Sequence, residues 1–278
     1  MNNIVFIGSS SLGLQQLSKS SKFKVIEVLC LKNRIDESLK ELVHKLGLTI
    51  KLFEWKKEFT EIILNYPKNY VFFIYQLDMI IPKKLTDKYS FFNLHRGSLH
   101  TNRGPNPEIR SILNGNTFST MSLHKINEKI DSGMLIDDYQ ISILKNDNPN
   151  ILKKKLEKGI PSLIESLEKY LSKEIVGMEI KNGIYYPRII EEDFTIDLKS
   201  DSLEIIDRKI RSQEAYNGAI LIHKGKKYYT KSYNLDGKIK NNISKSLLIK
   251  FDDCLIQFII NIDPKYKPLP TYVISKWV

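Results

Sequence analysis

Two polar side chains that can catalyse acyl transfer lie two residues apart near the middle of the chain. Asn93 and His95 end an apolar segment that starts at Phe91. In an extended strand, residues i and i+2 point to the same face, so this amide and imidazole lie side by side. An amide can donate a hydrogen bond to an oxyanion, and an imidazole can move a proton. Asp131 precedes Ser132-Gly133 in a turn and supplies a carboxylate that can orient or charge the histidine.

The same Asn-x-His pair has a second interpretation. Such a pair at the end of a strand often only satisfies the polar backbone groups of the following loop, and spacing alone leaves both interpretations open. We interpret His44, His124 and His223 as structural. Ser98 has no base at a spacing that would make it a nucleophile.

Strands alternate with helices over residues 1–115. This order predicts an α/β fold with a Rossmann-like, doubly wound, mostly parallel sheet. In such sheets ligands bind at the carboxyl ends of the strands, which is where Asn93 and His95 lie. The predicted strands are residues 4–7, 24–31, 49–53, 71–75 and 91–95, and the predicted helices include residues 36–46 and 60–64.

The second half of the chain has a different pattern. Asn106-Pro107 is predicted to start a helix, residues 121–126 and 134–143 form a pair of strands, and residues 151–170 form one long helix. A composition change follows, with a helix over residues 202–212 and short strands from residue 219. We therefore expect two domains, a catalytic domain over residues 1–180 and a smaller, β-rich C-terminal domain over residues 181–278.

Composition restricts the class of protein. The 278 residues include two cysteines, which excludes a disulfide framework or a cysteine-based zinc site and favours the cytoplasm. No apolar run approaches the ~18 residues of a membrane span. Gly8 and Gly13 fall one short of the three glycines of the dinucleotide fingerprint. The net charge of +11 fits an anionic partner, but the accompanying Asn and Ile also fit the compositional bias of an AT-rich genome.

Three motifs in register resemble the folate-dependent formyltransferases. They are Asn93-Leu94-His95, Asn102-Arg103-Gly104 and Ile130-Asp131-Ser132-Gly133, with Asp131 36 positions after His95. The resemblance implies the formyltransferase fold, with 10-formyltetrahydrofolate as formyl donor and neither a metal nor a nucleotide cofactor. It also implies that Asn93 stabilises the oxyanion, that His95 accepts or relays the proton of the attacking amine, and that Asp131 keeps His95 basic.

The resemblance extends to binding residues and to the C-terminal part. The segment from Tyr75 to Pro82 resembles the loop that lines the family's pterin pocket, which implies folate contacts from Gln76, Met79, Ile80 and Ile81. Arg103 and His100 are predicted to bind the acceptor substrate. His100 stands where the family has a loop proline, and Gly97 stands where it often has serine. Residues 185–219 resemble the start of the second domain in methionyl-tRNA and sugar formyltransferases.

Three acceptors compete within this resemblance. The C-terminal extension argues against glycinamide ribonucleotide. Enzymes that act on methionyl-tRNA carry a longer basic insertion after the second strand, where this chain has only residues 32–35. We therefore predict a cytoplasmic, homodimeric enzyme that formylates an amino sugar linked to dTDP or another nucleotide, for a surface polysaccharide such as O-antigen. Methionyl-tRNA formyltransferase is the alternative, and a folate-binding module without turnover is a third.

Overall fold

Seven strands form the larger sheet of the protein. The structure is a computed structural model that describes residues 1–236, 238, 245–251 and 253–261. The strands are β1 (Asn2–Gly8), β2 (Phe23–Leu31), β3 (Thr49–Phe53), β4 (Val71–Tyr75), β5 (Ser90–His95), β6 (Phe118–Lys125) and β7 (Leu135–Ser142). Their order is β3-β2-β1-β4-β5-β6-β7. The first five run parallel, whereas β6 is antiparallel to both β5 and β7, so the predicted fold class is confirmed.

Helices cover both faces of this sheet. They are α1 (Ser11–Leu17), α2 (Glu37–Lys45), α3 (Lys56–Leu64), α4 (Lys83–Thr86), α5 (Pro107–Leu113), α6 (Pro149–Glu157) and α7 (Ile160–Leu171). Successive side chains of β4 enter different cores: Phe73 packs with Phe6 on one side, and Phe72 packs with Phe91 on the other. Burial on two faces explains why these strands are apolar runs without alternation.

Two predicted helices differ from the observed ones. The single helix predicted over residues 151–170 is wrong, because the chain forms α6 and α7 with a break at Lys158 and Gly159. Pro161 has no backbone N–H, and in one continuous helix its ring would clash with the carbonyl of residue 157. Helix α3 begins at Lys56, four residues before the predicted start at Thr60. The predicted start is late because the polar first turn of α3 carries no apolar periodicity.

A second sheet follows the larger one along the chain. Its strands are β8 (Thr195–Ile196), β9 (Ala219–His223), β10 (Lys226–Asn234), β11 (Ser246–Phe251) and β12 (Cys254–Ile260), in the order β11-β12-β10-β9-β8. Helix α8 (Leu203–Gln213) packs Ile206 and Ile210 into the core of this sheet and also contacts α5. The boundary at residue 180 stays a prediction, and residues 262–278 of the predicted second domain lie outside the described residues.

The cysteines and helices show no other class of site within the described residues. Cys30 and Cys254 are both free thiols, and burial raises the pKa of Cys30 to about 11. Within the described ranges, no helix is long and apolar enough to cross a bilayer. The same residues contain no group of three or more His, Cys, Asp or Glu side chains that could hold a metal ion.

Candidate active site

A cavity of about 280 Å³ opens at the carboxyl ends of β4 and β5. The segment after β4 forms one wall, and the turn between β6 and β7 forms another. The polar side chains of the predicted catalytic set lie on its surface beside an apolar wall. Its lining includes Gln76, Met79, Ile80, Ile81, Asn93, His95, Arg96, His124, Lys129, Asp131, Tyr185 and Arg188. The cavity thus combines an apolar surface with a few polar groups, as small-molecule sites do.

The structure brings Asn93, His95 and Asp131 together at this cavity. Nδ1 of His95 lies 3.4 Å from Oδ2 of Asp131. The amide nitrogen of Asn93 lies 3.2 Å from Nε2 of His124, and that ring nitrogen lies 3.6 Å from Oδ1 of Asp131. Asp131 is therefore flanked by two imidazoles, and one of these also contacts the amide of Asn93.

Asp131 is held by a strained turn and is ionised at neutral pH. Its φ of 45° lies in the left-handed region, which aspartate tolerates better than most residues. Gly133 follows because a Cβ there would lie 1.7 Å from the carbonyl oxygen of Lys125. Burial alone would raise the pKa of Asp131, but His95, His124 and the backbone N–H of Gly104, which donates to Oδ2 at 3.0 Å, lower it to about 2.

His124 belongs to the site, although the sequence was interpreted otherwise. It lies on β6 directly opposite Asn93 on β5, and its side chain is almost fully buried. An amide has two hydrogens. When Nε2 of His124 carries no proton it can accept one hydrogen of Asn93, and the other hydrogen is left for the cavity. The register between β5 and β6 decides this contact, and the linear sequence gives no signal for that register.

Arg96 is a second residue of the cavity that was not predicted from the sequence. It lines the cavity next to His95, pairs with Glu108 of α5, and lies 5.7 Å from the ring centroid of Tyr75. Burial by itself would lower the pKa of Arg96. Glu108 and Tyr75 together raise this pKa by more than burial lowers it, so the guanidinium stays a cation. The hydroxyl of Tyr75 in turn donates to Glu157 at 3.0 Å. The cavity wall therefore contains a neutralised ion pair linked to α5 and α6.

The four predicted folate contacts lie together on the cavity surface. Gln76, Met79, Ile80 and Ile81 all line it in the segment that follows β4. Gln76 has a φ of 63°, so the chain turns sharply as it leaves the strand. Ile80 is 39% exposed although it is apolar, and a flat aromatic ligand in the cavity would cover it. The placement agrees with the predicted role, which stays a prediction.

Arg103 and His100 are not brought to this cavity. Arg103 is buried, and its guanidinium donates to the backbone carbonyls of Leu99 at 2.6 Å and Ile180 at 2.9 Å. These bonds tie the loop after β5 to the segment before the second sheet. His100 is exposed and, together with Asp138, lines a different cavity of about 280 Å³. Their predicted contacts to the acceptor stay predictions.

The curated proteins that are similar to this chain include methionyl-tRNA formyltransferases. No protein-family model matches the chain. A methionyl-tRNA formyltransferase of Caldicellulosiruptor saccharolyticus is 25% identical over 241 residues, which is 81% of this chain and 77% of that protein. A methionyl-tRNA formyltransferase of Buchnera aphidicola is 34% identical over 138 residues, 48% of this chain and 44% of that protein. The second match thus spans less than half the length of the relative.

The solved structures that are similar include sugar formyltransferases. WlaRD, a sugar 3N-formyl transferase determined in the presence of dTDP and 5-N-formyl-THF, superposes with a TM-score of 0.68 at 21% identity. The match covers 94% of this chain and 98% of that one. The predicted resemblance to the formyltransferases is confirmed, and so is the enzyme class, transfer of one-carbon groups. This neighbour was determined with 5-N-formyl-THF, a folate of the class predicted as formyl donor.

Proposed function

We propose that this chain transfers the formyl group of 10-formyltetrahydrofolate to the amino group of a nucleotide-linked amino sugar. One observation carries the proposal: Asn93, His95 and an ionised Asp131 meet at a cavity whose other wall is the apolar segment from Met79 to Ile81. That wall suits a pterin ring. The polar groups lie where the formyl group of such a ligand would be attacked.

The chemistry needs one oxyanion and one transferred proton. The acceptor amine attacks the formyl carbon, a new C–N bond forms, and the carbonyl oxygen becomes an oxyanion that the free N–H of Asn93 stabilises. Removal of one such donor typically costs ~10²-fold or more in rate. The bond from the formyl carbon to N10 then breaks. The proton lost by the amine balances the proton gained by N10, and His95 with Asp131 relays it.

The sugar-nucleotide acceptor is supported by a structural match and by local sequence. This chain matches nearly the whole of a sugar 3N-formyl transferase determined with dTDP. Only residues 32–36 separate β2 from α2, so the chain has no room there for a basic segment that could follow an RNA backbone. Lys129 and Arg188 line the same cavity and would attract a diphosphate or the carboxylates of a folate.

Methionyl-tRNA is the second candidate because the curated relatives are methionyl-tRNA formyltransferases. Salt distinguishes the two acceptors. An enzyme that neutralises 6–10 phosphates loses roughly 10³-fold or more in affinity between 50 and 200 mM salt. A nucleotide sugar presents only its diphosphate, so we expect a weak dependence of its KM on salt over this range.

In the experiment, purified protein is incubated with 10-formyltetrahydrofolate and one acceptor. The acceptor is an amino sugar linked to dTDP, UDP or GDP, or charged initiator tRNA, and release of tetrahydrofolate is followed. We expect release with an amino-sugar nucleotide and a KM that changes little with salt. Steeply salt-sensitive release with methionyl-tRNA alone would overturn the choice of acceptor. Binding of folate without release for any amine would favour the inert module. The cytoplasmic location, the homodimer and the link to surface polysaccharide stay predictions.

A further inference from the structure

Both ring nitrogens of His95 face oxygen atoms. Nε2 lies 2.9 Å from the backbone carbonyl oxygen of Asn102, and Nδ1 lies 3.4 Å from Oδ2 of Asp131. A neutral imidazole has one N–H and one lone pair, so it can satisfy only one of these oxygens. The contact to Asn102 is the shorter of the two, and a lone pair at Nε2 would repel that carbonyl oxygen.

The carbonyl of Asn102 is held in place by buried bonds. The side-chain nitrogen of Asn102 donates to the carbonyl of Pro107 and to Oγ of Ser111, both at 2.9 Å. Its backbone N–H donates to the carbonyl of Ser98 at 2.8 Å. Asn102 is 4% exposed, so it is anchored to the first turn and the middle of α5. Because the anchor is rigid, the position of its carbonyl is set before any substrate binds.

Gly97 leaves room for this contact. A Cβ at residue 97 would lie 2.3 Å from the carbonyl oxygen of Asn102 and 2.5 Å from Nε2 of His95. The carbonyl of Gly97 also accepts a hydrogen bond from Oγ of Ser122 on β6 at 2.9 Å. The loop after β5 is therefore fixed from the sheet on one side and from α5 on the other.

We propose that Asn102 is a positioning residue that keeps a proton on Nε2 of His95, so that protons enter and leave this ring at Nδ1, on the side of Asp131. The hydrogen bond made by one ring nitrogen decides the role of the other. The charged groups nearest the ring are Asp131, with His124 beyond it, and the Arg96–Glu108 pair next to it in the chain. The role in catalysis rests on the proposed function, whereas the tautomer does not.

The test reads the ring nitrogens directly. Protein labelled with ¹⁵N-histidine contains five histidines, and His95→Gln identifies the signals of His95. In the wild type, Nε2 should show the shift and one-bond proton coupling of a protonated nitrogen across neutral pH. Asn102→Ala frees the carbonyl, and a mixture of tautomers should appear. A bare Nε2 in the wild type, or an unchanged spectrum in Asn102→Ala, would overturn the proposal.

Two further variants keep the test decisive. Ser111→Ala removes one of the two side-chain anchors and should shift the His95 signals in the same direction by less, which decides the matter if Asn102→Ala does not fold. Thr101→Ala is the matched control, because its exposed side chain lies in the same loop and is not part of the anchor. Its spectrum should match the wild type, and a change as large as that of Asn102→Ala would contradict a specific role.

Activity gives the second readout. Asn102→Ala should lower kcat roughly tenfold, the worth of one hydrogen bond to a group that becomes charged, with a change in the pH profile of kcat and little change in KM for either substrate. If Nε2 of His95 is protonated in the wild type but neither the wild type nor any variant shows turnover, the proposed function is refuted and the positioning role of Asn102 stands. Wild-type turnover with an altered tautomer in Asn102→Ala would refute the catalytic importance of that position.

Discussion

Replacing Asp131 by asparagine removes the charge at the centre of the site while preserving its shape. The asparagine Oδ1 can still accept the hydrogen bond from Gly104, which spans 3.0 Å in the wild type. What is lost is the attraction between the carboxylate and the imidazoles of His95 and His124 when these rings are protonated. The pKa of Asp131 is lowered from 3.8 to about 2. At 1.36 kcal/mol per pKa unit, this difference corresponds to about 2 kcal/mol of folding stability.

The sign of the pH dependence follows from the lowered pKa of Asp131. A carboxyl group that ionises more easily in the folded state stabilises it fully above 3.8, and this contribution is lost as the pH falls through about 2. Urea denaturation should therefore show Asp131→Asn less stable than the wild type by about 2 kcal/mol at pH 5, where an ordinary imidazole carries a proton, and by about half as much at pH 3. A destabilisation of the same size at both pH values would mean that lost packing, rather than lost charge, causes it. Equal stability at pH 5 would refute the electrostatic reasoning.

Three other substitutions test the site. Asn93→Ala should lower kcat ~10²-fold or more with little loss of stability, because it removes the oxyanion donor; single-turnover kinetics measure the chemical step, and near wild-type rates would remove Asn93 from the mechanism. His124→Ala should lower kcat roughly tenfold, because the amide of Asn93 loses the hydrogen bond that orients it. The double variant Asn93→Ala/His124→Ala should then be no slower than Asn93→Ala, and additive losses would show that the two residues act separately. Gly97→Ala should reduce both kcat and the melting temperature, since its methyl group would clash with Nε2 of His95 and with the carbonyl oxygen of Asn102; an unchanged melting temperature would contradict the close approach.

The fold could be predicted from sequence where burial leaves a plain pattern. The apolar runs of β1 and β4, and the cap of α2, in which Asp36 accepts from the N–H of Leu39 at 2.9 Å, required only local information. The break between α6 and α7 was missed because the apolar spacing of the two helices is in phase across it. Its cause is local, since Gly159 and Pro161 are both visible in the sequence, but the in-phase apolar spacing by itself predicts one continuous helix.

The site was predictable only in part, because its contacts form between distant segments. Asn93 and His95 share a face by strand periodicity alone, whereas Asp131 required the resemblance of its motif to a family. The contacts that His124 and Asn102 make in the site could not be predicted from the types of their side chains. His124 contacts the site through the register of an antiparallel pair, and Asn102 contacts it through a backbone carbonyl, for which the type of side chain gives no signal.

The most direct test of formyl transfer to an amino sugar follows the formyl carbon itself. 10-Formyltetrahydrofolate labelled with ¹³C in the formyl group is incubated with the protein, an equimolar mixture of an amino-sugar nucleotide and methionyl-tRNA, and moderate salt. Carbon NMR and mass spectrometry then locate the label. We predict that the label appears as a formamide on the amino sugar, at a rate that His95→Gln abolishes. Label found on methionyl-tRNA, or released only as formate, would contradict the proposed function.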